Sequence, residues 1–195
     1  VYETLQGMNS LQPGLCVLGT RLPGCFNVFE MSVRAVLGQQ VTVKAASTLA
    51  ARLVSVYGTQ VQTGIEGLTH SFPAPAAILA LGENISEHLG KLGIISARAN
   101  TIYQLARVLA DEKNDFGFCG NPEEEMQKLQ AIRGIGSWTA QYIAMRAMGW
   151  PDAFLPTDAG IKKALPDHTP KELQVLSEAW RPWRSYATVN LWNTL

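Results

Sequence analysis

Nothing in this chain is apolar for long enough to cross a bilayer as a helix, which takes about 20 such residues in a row. Cysteine is scarce. Cys16, Cys25 and Cys119 are odd in number and too scattered for a zinc or iron–sulfur site, so they read as reduced thiols of an intracellular protein. An excess of one charge is missing too: 16 Lys and Arg stand against 16 Asp and Glu, a formal net charge of zero. That excludes attraction to a polyanion by bulk charge. It leaves open the capture of anions by backbone N–H groups at turns and helix starts. No secretory signal opens the sequence, and Val1 rather than Met leads it, so it reads as a fragment or a processed chain. Asn84-Ile85-Ser86 matches a glycosylation acceptor but, with nothing else pointing to secretion, reads as coincidence.

At 47% hydrophobic and 16% charged, the chain has the apolar content to bury a core. The periodicity is helical almost throughout. Phe29, Val33, Val36 and Leu37 form one stripe, interrupted by Gly38. A helix from Val41 to Val56 follows, with Gly58 as its left-handed stop. Short helices are predicted over Pro75–Leu81 and Ile85–Leu92. A longer one, Ser96–Leu109, carries Ala99, Ile102, Leu105, Ala106 and Leu109 on one side. Asn121-Pro122-Glu123-Glu124 is a helix start with a cap, a first-position proline and acids at the positive dipole end. Thr169-Pro170-Lys171-Glu172 is a second, in capping-box form. Helical spacing returns over Ser185–Trp192. The glycines and prolines of residues 1–25 set them apart as an arm, with a short strand near Leu15–Leu18, and residues 26–195 form the main domain.

The informative segment is Leu129-Gln130-Ala131-Ile132-Arg133-Gly134-Ile135-Gly136-Ser137-Trp138-Thr139-Ala140. A helix ends in it, two glycines flank one apolar residue, and a second helix begins. Gly134 and Gly136 permit backbone angles and close approaches that other residues resist. Ile135 is free to tuck between the helices. The open N–H groups of the second helix then face outward, where a phosphate fits. Further on, Gly149-Trp150-Pro151 leads to Phe154-Leu155-Pro156-Thr157-Asp158. Taken alone, a G-x-G turn is more often a plain αα-hairpin, and an Asp after such a loop is more often a helix cap.

Hairpin, Gly/Pro loop and Asp in this order resemble the helix-hairpin-helix DNA glycosylase superfamily, and within it the alkylation-repair 3-methyladenine DNA glycosylase II group. Val33-Arg34-Ala35-Val36-Leu37-Gly38-Gln39-Gln40-Val41 and Trp180-Arg181-Pro182-Trp183-Arg184-Ser185-Tyr186-Ala187 carry the resemblance further, from about Phe26 to the end. It implies an all-α fold of two packed helical subdomains, with the hairpin and an active-site cleft between them. The implied activity is base-excision repair: an alkylated base such as 3-methyladenine is flipped out of double-stranded DNA and its N-glycosidic bond hydrolysed. Asp158 becomes the catalytic carboxylate, stabilising positive charge on the sugar and handling the attacking water. Trp138, Tyr142 and Trp192 become the base pocket, whose aromatic faces attract a cationic base. Gly134, Gly136, Ser137, Thr139, Gln39 and Gln40 become the DNA-binding set.

The family's strand-cutting members carry a lysine where this chain has Trp138, and an indole is no amine nucleophile, so a monofunctional enzyme without lyase activity is implied. No cofactor is expected beyond a structural Na+ or K+ held by the backbone of Gln130, Ile132 and Ile135. A monomer acting wherever the chromosome lies, in a bacterial cytoplasm or a nucleus, completes the expectation. Two departures stand out. Gln40 occupies the place of a leucine wedge, and Ala159-Gly160 replaces bulkier residues, which points to a roomier pocket. An N-terminal β domain found in relatives is not in this sequence. The competing readings are a DNA-binding hairpin module in which Asp158 merely caps a helix, and a helical protein-interaction domain.

Overall fold

The computed structural model describes residues 1–111 and 121–195; Cys119 lies outside them. Among the described residues the chain is helical almost throughout. In order come α1 (Tyr2–Leu5), α2 (Val28–Leu37), α3 (Val43–Tyr57), α4 (Pro75–Leu79), α5 (Ile85–Gly90) and α6 (Ser96–Leu109). Then follow α7 (Pro122–Gln130), α8 (Ser137–Ala147), α9 (Ala159–Ala164), α10 (Pro170–Leu176) and α11 (Arg184–Trp192). None of the described helices is long and apolar enough to cross a membrane.

The helix starts follow from local chemistry. Asn27 caps α2 through Glu30 N, Thr42 caps α3 through Ala45 N, and Asn121 caps α7 with Pro122 behind it. At α10 the Thr169 hydroxyl accepts from Glu172 N while the Glu172 carboxylate accepts from Thr169 N at 2.7 Å, the reciprocal capping box. The Thr169 N–H draws the Glu172 carboxyl below the usual carboxylate range.

Gly58 ends α3 for a reason other than the expected one. Its backbone is extended, with φ −71°, and not left-handed. A side chain there would meet the carbonyls of Ser71 and Val54, each 2.4 Å from where the Cβ would stand. Ser71 belongs to a two-residue antiparallel ladder, β1 (Thr59–Gln60) with β2 (His70–Ser71), in the stretch read as loose. The strand expected at Leu15–Leu18 does not form. Backbone N–H groups there bond to side chains instead: Cys16 N to Asn9 Oδ1 at 2.9 Å, and Val17 N to Asn190 Oδ1 at 3.1 Å. With its donors drawn to side chains, the segment has no ladder to join.

Two hydrophobic clusters organise the packing. The first gathers Val33, Val36 and Leu37 of α2, Leu53 of α3, Ile102 and Leu105 of α6, Leu129 of α7 and Ile143 of α8. The stripes read from the sequence in α2 and α6 face this core, and each fully buried side chain contributes about 1.5–3 kcal/mol. The second gathers Phe154, Leu155, Ile161, Leu173, Trp180 and Leu191, joined by Leu5, Met8, Leu15 and Cys16. Four residues of the N-terminal arm are thus buried in this core, while Cys25 packs against the first cluster. Helix α8 serves both clusters: Ile143 and Ala144 enter the first, Met145 the second, and Tyr142 packs against each. Its N-terminal end opens onto a groove.

Candidate active site

The groove has a volume of about 2280 Å³ and is lined by residues at the N-termini of α3, α6 and α8, together with Asp158 and Trp192. Among the described residues lining it, Arg34, Arg98, Lys128, Arg133 and Arg146 are basic, and Asp158 is the only acid. Arg34 and Lys128 are ion-paired with Glu30 and Glu125, so the local excess of positive charge, which composition could not disclose, rests on Arg98, Arg133 and Arg146.

One wall is the hairpin between α7 and α8. Gly134 takes φ +95°, and a Cβ there would lie 2.0 Å from the Thr101 hydroxyl oxygen, so only glycine serves. That hydroxyl is 3.0 Å from the carbonyls of both Ala97 and Arg133, seating the turn on α6. Ile135 is buried in the first cluster. Gly136 uses no special angle, with φ −89°, and nothing lies within 4 Å of the space its Cβ would fill. It is the N-cap of α8, no side chain caps that helix, and the first-turn N–H groups at Ser137, Trp138 and Thr139 face their start without a cap.

Gln39 stitches this hairpin to the turn after α2. Its amide nitrogen donates to the Gly134 carbonyl and to the Thr139 hydroxyl, both at 2.9 Å, while Arg98 donates to the Gln39 carbonyl. Both amide protons are therefore engaged within the protein, and the Thr139 side chain is buried beneath them. Any anion reaching Thr139 would meet its backbone N–H alone. Ser137 and Gln40 are exposed. Gln40 holds a left-handed φ of 53°, uncommon without a glycine, at the tip beside Gln39.

The opposite wall carries the carboxylate. Asp158 is the N-cap of α9, its Oδ1 accepting from Gly160 N at 2.9 Å and Ile161 N at 3.0 Å. The same oxygen accepts from Trp192 Nε1 at 2.8 Å, and Oδ2 accepts from Trp138 Nε1 at 3.0 Å. Four donors and no acceptor surround a carboxyl only 9% exposed, which suits an acceptor-only carboxylate. Helix cap and groove-facing anion are thus one group, not alternatives.

Trp138 and Tyr142, one turn apart on α8, stack with centroids 5.2 Å apart and planes 9° from parallel. Trp192 of α11 is tilted 50° to Tyr142 at 6.2 Å. A Cβ at Gly160 would stand 2.8 Å from the Trp192 ring, so the missing side chain makes way for that indole. The space expected to be left open beside Ala159-Gly160 is filled by it.

The loop delivering Asp158 is fastened to α11. Arg184 donates to Asp152 Oδ1 at 2.8 Å and to Oδ2 at 2.9 Å, and also to the Asp152 carbonyl, all buried; Arg181 adds a bond to Oδ2 at 2.6 Å. Ser185 accepts from Ala153 N and donates to the Trp150 carbonyl. Phe154 N bonds to Gln141 on α8. Asp158 thus reaches its place on a segment tied to both helices that supply its tryptophans. Sequence reading missed this clamp, the Thr101 seat and Arg146. For Arg146 a signal existed in its spacing of four from Tyr142.

These features define a helical fold with a carboxylate set among indoles in an open groove, and comparison with known proteins places it in a family. Residues 33–184 match the HhH-GPD superfamily base excision DNA repair protein family, and the chain belongs to it. It is 39% identical over 194 residues to DNA-3-methyladenine glycosylase 2 of Escherichia coli K12, covering 100% of this chain and 65% of that protein. Among solved structures, a 3-methyladenine DNA glycosylase from Archaeoglobus fulgidus superposes with a TM-score of 0.75 at 25% identity, over 97% of this chain and 64% of that one. A Schizosaccharomyces pombe 3-methyladenine DNA glycosylase, solved with abasic DNA, superposes at 0.73 with 20% identity, over 98% and 90%.

The hairpin's geometry sets up one substitution with opposite effects on two measurements. In Gly136→Asp the new carboxylate has open space and a vacant cap to fill, which adds a few tenths of a kcal/mol of helix stability. It also places an anion where a phosphate would sit. The melting temperature should hold or rise while duplex affinity, by fluorescence anisotropy, falls about 10-fold whatever the DNA sequence. Undiminished affinity would show that the hairpin is not the grip.

Proposed function

We propose that the chain excises alkylated bases, 3-methyladenine among them, from double-stranded DNA by hydrolysing the N-glycosidic bond, without cutting the strand. One observation carries this reading: a buried carboxylate held by two indole N–H groups beside a stacked aromatic pair, in a groove lined with cations. Two helical subdomains, one around each hydrophobic cluster, would flank that groove. The hairpin amides of α8 grip a backbone phosphate. Exposed Gln40 enters the gap left by the flipped nucleotide. Trp138, Tyr142 and Trp192 receive the base, and aromatic faces favour one made cationic by alkylation.

The glycosidic C1′–N bond then breaks with its electron pair leaving on the base, so a cationic base departs neutral. Positive charge builds on the sugar, and the Asp158 carboxylate stabilises it. Water adds its oxygen to C1′ and releases one proton, which the carboxylate accepts and passes to solvent. A Na+ or K+ would be held by the carbonyls of Gln130, Ile132 and Ile135, of which Ile132 also accepts from Ile135 N. These are neutral oxygen donors, and Gln130 closes α7 where the backbone is partially negative. The ion would add positive charge to the hairpin. The chain acts as a monomer on DNA in this scheme.

Two measurements test it. Incubation with alkylated duplex should release modified bases identifiable by mass spectrometry. Borohydride should trap no covalent adduct, and the strand should stay intact until alkali or heat is applied. The amine that a lyase needs is replaced by Trp138, and Lys162 and Lys163 on α9 are exposed to solvent, without the desolvating pocket that activates a lysine nucleophile. A trapped adduct that vanishes in Lys162→Ala would overturn the monofunctional assignment.

A further inference from the structure

The aromatic ladder of α8 does not end at Tyr142. One turn further, the Arg146 guanidinium lies 5.7 Å from the Tyr142 ring centroid, with Nη1 donating to the Tyr142 hydroxyl oxygen at 3.3 Å. Trp138, Tyr142 and Arg146 all line the groove. Among the described residues no carboxylate forms an ion pair with Arg146, unlike Arg34, Lys128, Arg181 and Arg184, each of which has one. Its Nε is buried without a partner.

We propose that Arg146 is a specificity-determining residue that tempers the pocket's preference for cationic bases and improves its acceptance of neutral bases bearing a hydrogen-bond acceptor. The proposal rests on the base-excision reading above. Two effects of the one guanidinium act in the same direction. Its charge is drawn to the π-electrons of Tyr142, the same electrons that attract a cationic base, and it repels that base besides. Its hydrogen bond occupies a lone pair of the phenol oxygen, so the phenol proton is left to be donated into the groove, to an acceptor on the base edge. The aromatic walls alone would rank substrates by positive charge. With Arg146 in place, the ranking flattens.

The experiment is single-turnover base release by wild type, Arg146→Met and Arg146→Lys, on duplexes carrying 7-methylguanine (cationic) or hypoxanthine (neutral, with a carbonyl acceptor). In Arg146→Met the ratio of 7-methylguanine to hypoxanthine release should rise about 3- to 10-fold, the size of one like-charge repulsion close to a protein surface. Arg146→Lys keeps the charge and should leave the ratio within about 2-fold of wild type. A loosened pocket would lower both rates together and leave the ratio unchanged, as would an Arg146 with no role in selectivity; an unchanged or falling ratio in Arg146→Met overturns the proposal. If Arg146→Met does not fold, Tyr142→Phe carries the same test, since removing the phenol donor should also raise the ratio. Release of neither base by the wild type is a different result: it sinks the excision reading and takes this proposal with it.

Discussion

In Asp158→Asn, base release should fall about 10²- to 10³-fold, the loss typical when one charge-stabilising group is removed from a transition state. The fold should largely survive. The amide oxygen can take the place of Oδ1 and keep the N–H groups of Gly160 and Ile161 and the Trp192 indole. The amide nitrogen then faces Trp138 Nε1, donor against donor, where a carboxylate oxygen now accepts at 3.0 Å. That mismatch costs about 1–2 kcal/mol. Single-turnover release, duplex binding and a thermal melt separate the three consequences. Release within a few-fold of wild type would remove Asp158 from the chemistry. Lost binding together with lost release would make it structural instead.

A loss of stability is expected in Arg184→Met. The guanidinium and Asp152 are both buried, and truncating one leaves the other charge short of its partner. Such a break costs about 3–5 kcal/mol. Arg181, half-exposed, keeps its bond to Asp152, so the lower end is expected, with a fall in melting temperature of roughly 6–12 °C for a chain of this size. Excision should suffer as well, because the clamp holds the loop that carries Asp158. Asp152→Leu combined with Arg184→Met should cost less than the two single changes added together, since the pair is then gone from both sides. A single variant melting with the wild type, or strict additivity in the double, would deny the clamp its role.

Much of the helical layout could be read from local chemistry. The capping box at Thr169 and Glu172 and the cap at Asn121 are visible in four residues each, because cap and N–H are neighbours in the chain. The stripes of α2 and α6 are equally local, since periodicity reports one face. Long-range contacts left no such trace. Gly58 looked like a left-handed stop, whereas its bare Cα makes room for the Val54 carbonyl of its own helix and for the Ser71 carbonyl from 13 residues away. Leu15–Leu18 looked like a strand until Asn190 took one of its N–H groups. At the site, spacing placed Trp138 over Tyr142 and the Gly/Pro loop marked Asp158. The indole donors that hold the carboxylate, the Arg184–Asp152 clamp and the engagement of Gln39 all join residues 20 to 100 positions apart.

The groove's charge has a kinetic consequence. A molecule with no net charge but with its cations gathered on one face approaches a polyanion as an oriented dipole, not as a counterion. At distances beyond about 10 Å in ordinary salt such a molecule feels little pull. Inside that range the field exerts a torque, and the protein turns its cleft toward the backbone before contact. On the excision reading, encounters with a duplex would then arrive already facing the right way.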